Sequence, residues 1–310
     1  MIDIVLATYN GEKYLAEQLE SILDSEYADF KLFVYDDGST DNTTAIVKDF
    51  MERYPDKIFL AENIENLGYC KNFLEGLKYT AKIAPADYYV FCDQDDVWLE
   101  NRLSVCLHRM KELEEQNGSE TPILLFTDAV LVDEEMNSMG TTFFKADRLN
   151  TDKLDLARLL MENKCIGCTS FMNAALVEKL DGFDKRTRYH DWWMALIASA
   201  FGKVSYLDVP TVLYRQHSDN QVGQSDFAGY VKNRTAGKKS DARKRLKLTM
   251  HQARAFYKYY GDKLDDEQRQ LLKEFSVLDK VGGLERRRLI IRNGFFKSGF
   301  VRNIGLMLYI

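Results

Sequence analysis

At 310 residues the chain is long enough for two domains of roughly 150 residues each, and 45% hydrophobic with 29% charged residues are globular values. Its 18 Phe, 17 Tyr and 3 Trp supply ample core material and exclude a disordered chain. The net charge of −6 is uneven: from Asp226 onward 20 Lys/Arg stand against 9 Asp/Glu, leaving 22 against 39 before it, an acidic body with a basic end.

The first hundred residues alternate apolar runs with helical periodicity, the pattern of a parallel sheet with crossover helices. Ile2 to Thr8 reads as a buried strand, and Leu15, Leu19, Ile22 and Leu23 then mark one helix face. Lys31 to Tyr35 is a second strand, closed by Asp36-Asp37-Gly38-Ser39-Thr40-Asp41, in which Asp41 can cap the next helix. Ile58 to Ala61 and Tyr88 to Cys92 are further strands, with a helix marked by Phe73, Leu77 and Ala81 between them. The last strand runs into Asp93-Gln94-Asp95-Asp96, before a helix carrying Leu103, Leu107 and Met110. Segments Ile123 to Val132, Ser170 to Asn173 and Val204 to Tyr214 read as later strands, and Asp191 to Phe201 as a helix packed by Trp192, Trp193 and Leu196. After Gly223 the strand signal ends, and from about Asp241 the basic, Leu/Tyr-spaced pattern predicts helices. The expected division is a catalytic unit over 1–225 and a basic helical region over 226–310.

The longest charge-free run, Cys165 to Val177, has 13 residues against the ~18 a spanning helix needs, so no transmembrane helix is expected. Met1 to Ile4 leads straight into a strand without a secretory signal's basic start, which predicts a cytoplasmic protein. Five scattered cysteines (70, 92, 106, 165, 168) argue against a disulfide framework. Cys165-x-x-Cys168 has no second pair to complete a zinc site and reads as buried thiols.

In open parallel sheets ligands bind beyond the carboxyl ends of the strands, where this chain places its acids. A carboxylate beside Gly38 suits a pyrimidine ring N–H; a capped turn explains Gly38 and Asp41 but not two adjacent acids before the glycine. Asp93-Gln94-Asp95-Asp96 is a dense negative cluster that a divalent cation would relieve; a solvated helix N-terminus is the plainer alternative. Carboxylates suit Mg²⁺ or Mn²⁺. The chain lacks G-x-G-x-x-G and a Walker lysine, and Ala7 to Lys13 does not look like the phosphate loop of a sugar-nucleotide pyrophosphorylase.

Ala7-Thr8-Tyr9-Asn10-Gly11, Asp36 to Asp41, Asn66-x-Gly68-x-x-x-Asn72 and Asp93 to Trp98, in this order, resemble the family 2 glycosyltransferases. The resemblance covers roughly residues 1 to 220. It implies a GT-A fold, an α/β architecture with a mostly parallel central sheet, here with a C-terminal helical extension. It also implies an inverting, metal-dependent sugar transfer using Mn²⁺ or Mg²⁺. Carried over residue by residue, Asp37 would hold the nucleobase, with Thr8, Tyr9, Asn10 and Asn66 around the nucleotide and Asp93 on its ribose side. Asp95 would bind the metal, with Asp96 and His217 as further ligands. Gly182-Phe183-Asp184 precedes His190-Asp191-Trp192-Trp193, which makes Asp191 the expected base; an N-cap Asp before a core helix is the plainer reading. Trp192 and Trp193 would stack on sugar, and Arg215 would reach the diphosphate.

Together D-Q-D-D-V-W, H-D-W-W and Y-R-Q-H look like the rhamnosyltransferase branch of bacterial cell-wall, capsular or O-antigen-type polysaccharide synthesis. That resemblance implies a dTDP-L-rhamnose donor and a saccharide or lipid-linked saccharide acceptor. A UDP-hexose donor and a non-catalytic sugar- or nucleotide-binding scaffold of the same fold stand as alternatives. Lys238-Lys239, Arg243-Lys244-Arg245, Arg286-Arg287-Arg288 and Arg302 are interleaved with Phe295, Phe296, Phe300, Ile304, Leu306, Met307 and Leu308. Such a segment can lie on an anionic membrane surface, which predicts peripheral attachment to the inner face of the plasma membrane. A helical cap or an oligomer contact is the plainer reading, and the acidic body argues against nucleic acid.

Overall fold

The computed structural model describes residues 1–217 and 239–309, with backbone alone at 239–242 and 309. The expected boundary near 225 and Lys238 lie outside the described residues.

Strands β1 (Ile2–Thr8), β2 (Phe30–Asp36), β3 (Ile58–Glu62) and β4 (Tyr88–Cys92) form a parallel half-sheet in the order β3-β2-β1-β4. Helices α1 (Leu15–Leu23), α2 (Thr43–Arg53) and α3 (Tyr69–Ile83) make its crossovers. β1 is almost wholly buried, so it reads as a continuous apolar run rather than an alternating one. Asp41 precedes α2 by one residue more than an N-cap would, yet its carboxylate accepts from Thr43 N at 3.0 Å and from the Thr43 hydroxyl, closing the turn.

The sheet continues through β5 (Val97–Trp98), helix α4 (Arg102–Asn117), β6 (Ile123–Val132), β7 (Ser138–Thr142), helices α5 (Phe143–Asp147) and α6 (Leu156–Met161), and β8 (Phe171–Asn173). Helices α7 (Ala174–Val177) and α8 (His190–Phe201) then lead into β9 (Lys203–Arg215). Beyond β4 the order is β8-β6-β9-β5, with β8 antiparallel to both neighbours, β9 parallel to β6, and β5 antiparallel to β9. The β6/β9 register slips between Thr127 and Ala129, where Pro210 stands opposite Asp128. A proline has no N–H to give a ladder, so the bulge sits where pairing would fail anyway. The slip leaves Val212 and Leu213 opposite β5 and carries Arg215 and His217 toward the acidic loop that follows β4.

Four further helices follow: α9 (Lys239–Tyr260), α10 (Asp266–Ser276), α11 (Gly283–Asn293) and α12 (Phe300–Tyr309). Their inner faces join the core of the first 217 residues, since Phe256, Tyr260, Phe275, Ile290 and Phe295 belong to one continuous buried cluster with the sheet. Among the described residues no helix is long and apolar enough to cross a membrane.

Candidate active site

The loops after β1, β2 and β4 are stitched together at the carboxyl edge of the sheet. Gln94 accepts from Tyr9 N at 2.8 Å and donates to Tyr9 O at 3.2 Å, tying the tip of β4 to that of β1. Asn10 takes a positive φ of 48° and accepts from Thr40 N at 2.8 Å, tying β1 to the β2 turn.

Both acids before Gly38 have internal work. Asp36, 1% exposed, accepts from the Thr8 hydroxyl at 2.9 Å, from the Ser39 hydroxyl, and from Gly38 N and Ser39 N at 3.1 and 2.8 Å. Asp37, 3% exposed, accepts from Asn63 Nδ2 at 2.9 Å, Leu67 N at 2.7 Å and Gly68 N at 2.8 Å. Its carbonyl accepts from Asn66 Nδ2 at 3.0 Å, and Asn72 holds Asn63 and Tyr35 O. The N-x-G-x-x-x-N spacing is thus a loop built around a buried carboxylate, and Gly68 at φ 80° supplies the backbone turn that aims its N–H. A carboxylate has about four acceptor directions, so Asp37 retains one. Thr8 is buried behind Asp36, whereas Tyr9 is 48% exposed.

At the tip of β4, Asp93 is held well above the usual carboxylate range, first by burial and then by the neighbouring Asp95 and Asp191 carboxylates. Asp96 is also raised well above it, by burial first and then by the Asp95 and Asp93 carboxylates. Its Oδ1 accepts from Arg215 N at 3.1 Å, and its buried Oδ2 has no hydrogen-bond partner among the described residues. Asp95 Oδ2 lies 2.8 Å from His217 Nε2, whose ring packs 5.0 Å from Tyr14. Arg102, fully buried over the Trp98 ring, lends the acids a nearby cation, yet its charge does not offset their mutual repulsion.

Asp93, Asp96 and Cys168 offer ligand atoms all within 4.8 Å of one another. Burial holds the Cys168 thiol well above its ordinary range, so it stays protonated and the donors that suit a cation are carboxylates, with His217 beside Asp95. Uncompensated acids with an orphaned oxygen fit Mg²⁺ or Mn²⁺. All five cysteines are free thiols, with Cys165 and Cys168 buried.

Asp191 is the second residue of α8, not its N-cap; Tyr189 takes that position. It is 7% exposed, its Oδ2 accepting from Asn163 Nδ2 at 2.9 Å and its Oδ1 from Trp192 N at 2.6 Å. Burial pushes its carboxyl up to about 6, the two hydrogen bonds opposing. It acts on Asp93 across the gap between α8 and β4, so these acids share one edge.

Two expectations need correction on geometric grounds. Trp193 is fully buried against Phe256, Tyr259 and Tyr260, its Nε1 donating to Gly182 O at 3.2 Å, so it joins the helical extension to the body instead of facing a sugar. Trp192, 3% exposed, donates to Leu159 O at 2.6 Å and lies under Tyr189 and Arg188. Arg215, 2% exposed, is committed inward: Nε donates to Asp95 O at 2.9 Å, Nη1 to Glu134 O at 2.6 Å, and Nη2 pairs with Glu17. It positions the acidic loop; its three nitrogens are already engaged. Gln94, Asn163, Glu17, Tyr14 and Glu134 were missed by the sequence reading. Gln94 lies inside a motif and was findable; Glu17 and Glu134 meet Arg215 across 198 and 81 residues and carry no local signal.

Comparison with known proteins gives this edge a family. The model described as glycosyl transferase family 2 matches residues 3–117, which include the tips of β1, β2 and β4. The dTDP-rhamnosyl transferase RfbG of Shigella flexneri is 29% identical over 229 residues, 70% of this chain and 73% of that protein. S. aureus TarS residues 1–349 in complex with UDP-GlcNAc superimposes with a TM-score of 0.56 at 18% identity, covering 93% of this chain and 83% of TarS. The mannosyltransferase PcManGT from Pyrobaculum calidifontis, solved with GDP-Man and Mn²⁺, gives a TM-score of 0.51 at 16% identity over 99% of this chain and 78% of its own. With the family's model matching the acid-bearing strand tips and a curled, mostly parallel sheet behind them, residues 3–117 carry a glycosyl transferase family 2 domain and the chain is a glycosyltransferase of GT-A fold.

Proposed function

We propose that this enzyme moves a sugar from a nucleoside diphosphate onto a saccharide hydroxyl in one displacement that inverts the anomeric centre. The observation that carries this reading is the gathering of Asp93, Asp95 and Asp191 at one edge, with Asp191 pushed up to about 6 by burial. A carboxyl so poised is ionised at neutral pH and still basic enough to take a proton. Asp191 takes the acceptor's proton as the oxygen bonds to the anomeric carbon, and the carbon–oxygen bond to the diphosphate breaks with its electron pair leaving on phosphate. Asp191 is kept in place by Asn163 and Trp192 N.

On the donor side, Asp37 offers its remaining acceptor direction to the base N–H, while Tyr9, Asn10 and Asn66 surround the nucleotide and Asp93 meets the ribose. Mn²⁺ or Mg²⁺, when bound, supplies Lewis-acid charge to the departing diphosphate. Asp95 would hold it, with Asp96 and His217 around it; the Mn²⁺ in PcManGT supports the choice of ion. Arg215 keeps the Asp95–Asp96 loop from relaxing away.

The likeness to the dTDP-rhamnosyl transferase RfbG supports a dTDP-rhamnose donor, and a bacterial polysaccharide is the acceptor that goes with this reading. A UDP-hexose presents the same ring N–H to Asp37 and is the second reading. The basic, apolar-faced C-terminal helices support attachment to an anionic membrane surface. Calorimetry with dTDP and UDP, with and without Mn²⁺, followed by a sugar-nucleotide screen read by mass spectrometry, tests the proposal. Metal-dependent nucleotide binding and a transferred hexose or deoxyhexose mass are expected; absence of nucleotide binding under every condition would sink it and leave a scaffold.

A further inference from the structure

A cavity of about 200 Å³ opens where the segment before and after α6 meets the turn into α12. Four cations line it: Lys153, Arg158, Lys164 and Lys297, joined by Ser298 and Phe300. Lys164 is only 2% exposed, its ammonium donating to Lys153 O at 2.6 Å, and burial pushes both its ammonium and that of Lys297 below the usual lysine range. Among the described residues none of the four is in an ion pair. The nearest acid, Glu162, is taken: Oε1 accepts from Arg302 at 3.0 Å and Oε2 from Ser298 N at 2.6 Å. Asp155, the other acid facing Lys164, caps α6 through Arg158 N at 3.1 Å. Burying lysines with no carboxylate in an ion pair with them is costly, and a cavity that does so is complementary to an anion.

Two neighbours indicate which anion. Asn163, adjoining Lys164, holds Asp191, and Arg188 and Arg245 are within electrostatic reach of Lys297, so the cavity lies on the base side of the active-site edge. On the outer side, Phe300 lines the cavity and opens α12, where Phe300 and Val301 are each 80% exposed, Ile304 44% and Leu308 65%. At 100° per residue these four fall within a stripe about 100° wide. An apolar stripe thus starts at a cationic cavity.

We propose that this cavity holds the phosphate or diphosphate of an amphiphilic acceptor whose hydrocarbon chain lies along the outward face of α12. The word acceptor rests on the function proposed above; the anion site does not.

The test uses the full chain in EDTA, so that the acidic cluster holds no ion for a diphosphate to join, and measures binding of inorganic pyrophosphate, farnesyl diphosphate and phosphatidylglycerol vesicles. Farnesyl diphosphate is expected to bind at least tenfold more tightly than pyrophosphate. Lys297→Gln and, at an exposed position that spares folding, Lys153→Gln should each weaken it several-fold, and Phe300→Ser with Val301→Ser should remove the advantage over pyrophosphate. Failure of farnesyl diphosphate to bind, or indifference to both lysine variants, overturns the proposal. Equal binding of pyrophosphate overturns the amphiphile, and vesicle binding without farnesyl diphosphate binding makes the site a bulk headgroup contact. Nucleotide binding with Mn²⁺ is measured beside it: its loss with farnesyl binding intact defeats the transferase reading alone.

Discussion

Replacing Asp37 by Asn tests the loop-clamping role that the structure adds to its expected nucleobase contact. The carboxylate accepts from Asn63 Nδ2, Leu67 N and Gly68 N at 2.9, 2.7 and 2.8 Å while 3% exposed. An amide keeps one oxygen, which satisfies Asn63 and Leu67, but turns its NH₂ toward the Gly68 N–H, donor against donor. One charge-assisted bond is lost, worth about 1.5–3 kcal/mol, and a buried N–H is left unpaired at about 1–3 kcal/mol. At ~2.1 cal/mol/K of unfolding entropy per residue, roughly 3 kcal/mol of destabilisation lowers Tm by about 5 °C in a chain of 310 residues. The assay is thermal unfolding with dTDP calorimetry on the folded variant at 10 °C. Loss of both stability and nucleotide affinity is expected, since the loop that Asp37 clamps also presents Asn66. A Tm within about 2 °C of wild type would refute the clamp argument.

Asp191→Asn should leave nucleotide binding intact and lower turnover by about 10²–10⁴; near-wild-type turnover would remove Asp191 as base. The wild-type rate should rise with pH through about 6, because the base works ionised, and Asn163→Ala should move that limb upward by removing a bond that favours the charged form. Asp95→Asn should weaken Mn²⁺-dependent nucleotide binding at least tenfold with little effect on metal-free binding. Arg215→Lys, unable to reach Asp95 O, Glu134 O and Glu17 together, should cost about 2 kcal/mol in urea unfolding and raise the nucleotide KM. Asp3 is fully buried with neither carboxylate oxygen hydrogen-bonded, and burial raises it from 3.8 to about 7. A raised carboxyl pKa stabilises most below about pH 4, and that contribution drains away as pH rises to about 7, an upper bound of roughly 4 kcal/mol. Asp3→Asn should flatten the slope of unfolding free energy between pH 5 and 8; an unchanged slope would place the titration elsewhere.

The sequence by itself determined the strand–helix alternation of the first hundred residues, because period-2 and period-3.6 apolar patterns are local and each element buries its own face. It also located the acids at the strand tips, since turn formers and carboxylates end each apolar run. It could not tell an acid that faces solvent from one that faces a neighbouring loop: Asp36 and Asp37 read alike, and only the 63–68 loop folded over Asp37 fixes which donors it meets. Arg215 and Trp193 were misread for the same reason. Each carries a group suited to substrate, and the tertiary structure spends it on a partner far along the chain, Glu17 for one and the α9 aromatics for the other. The basic end shows the converse. Its charge was plain in the composition, but the cavity among Lys153, Arg158, Lys164 and Lys297 exists only because segments some 140 residues apart meet, and burial there, not charge count, is what makes an anion fit.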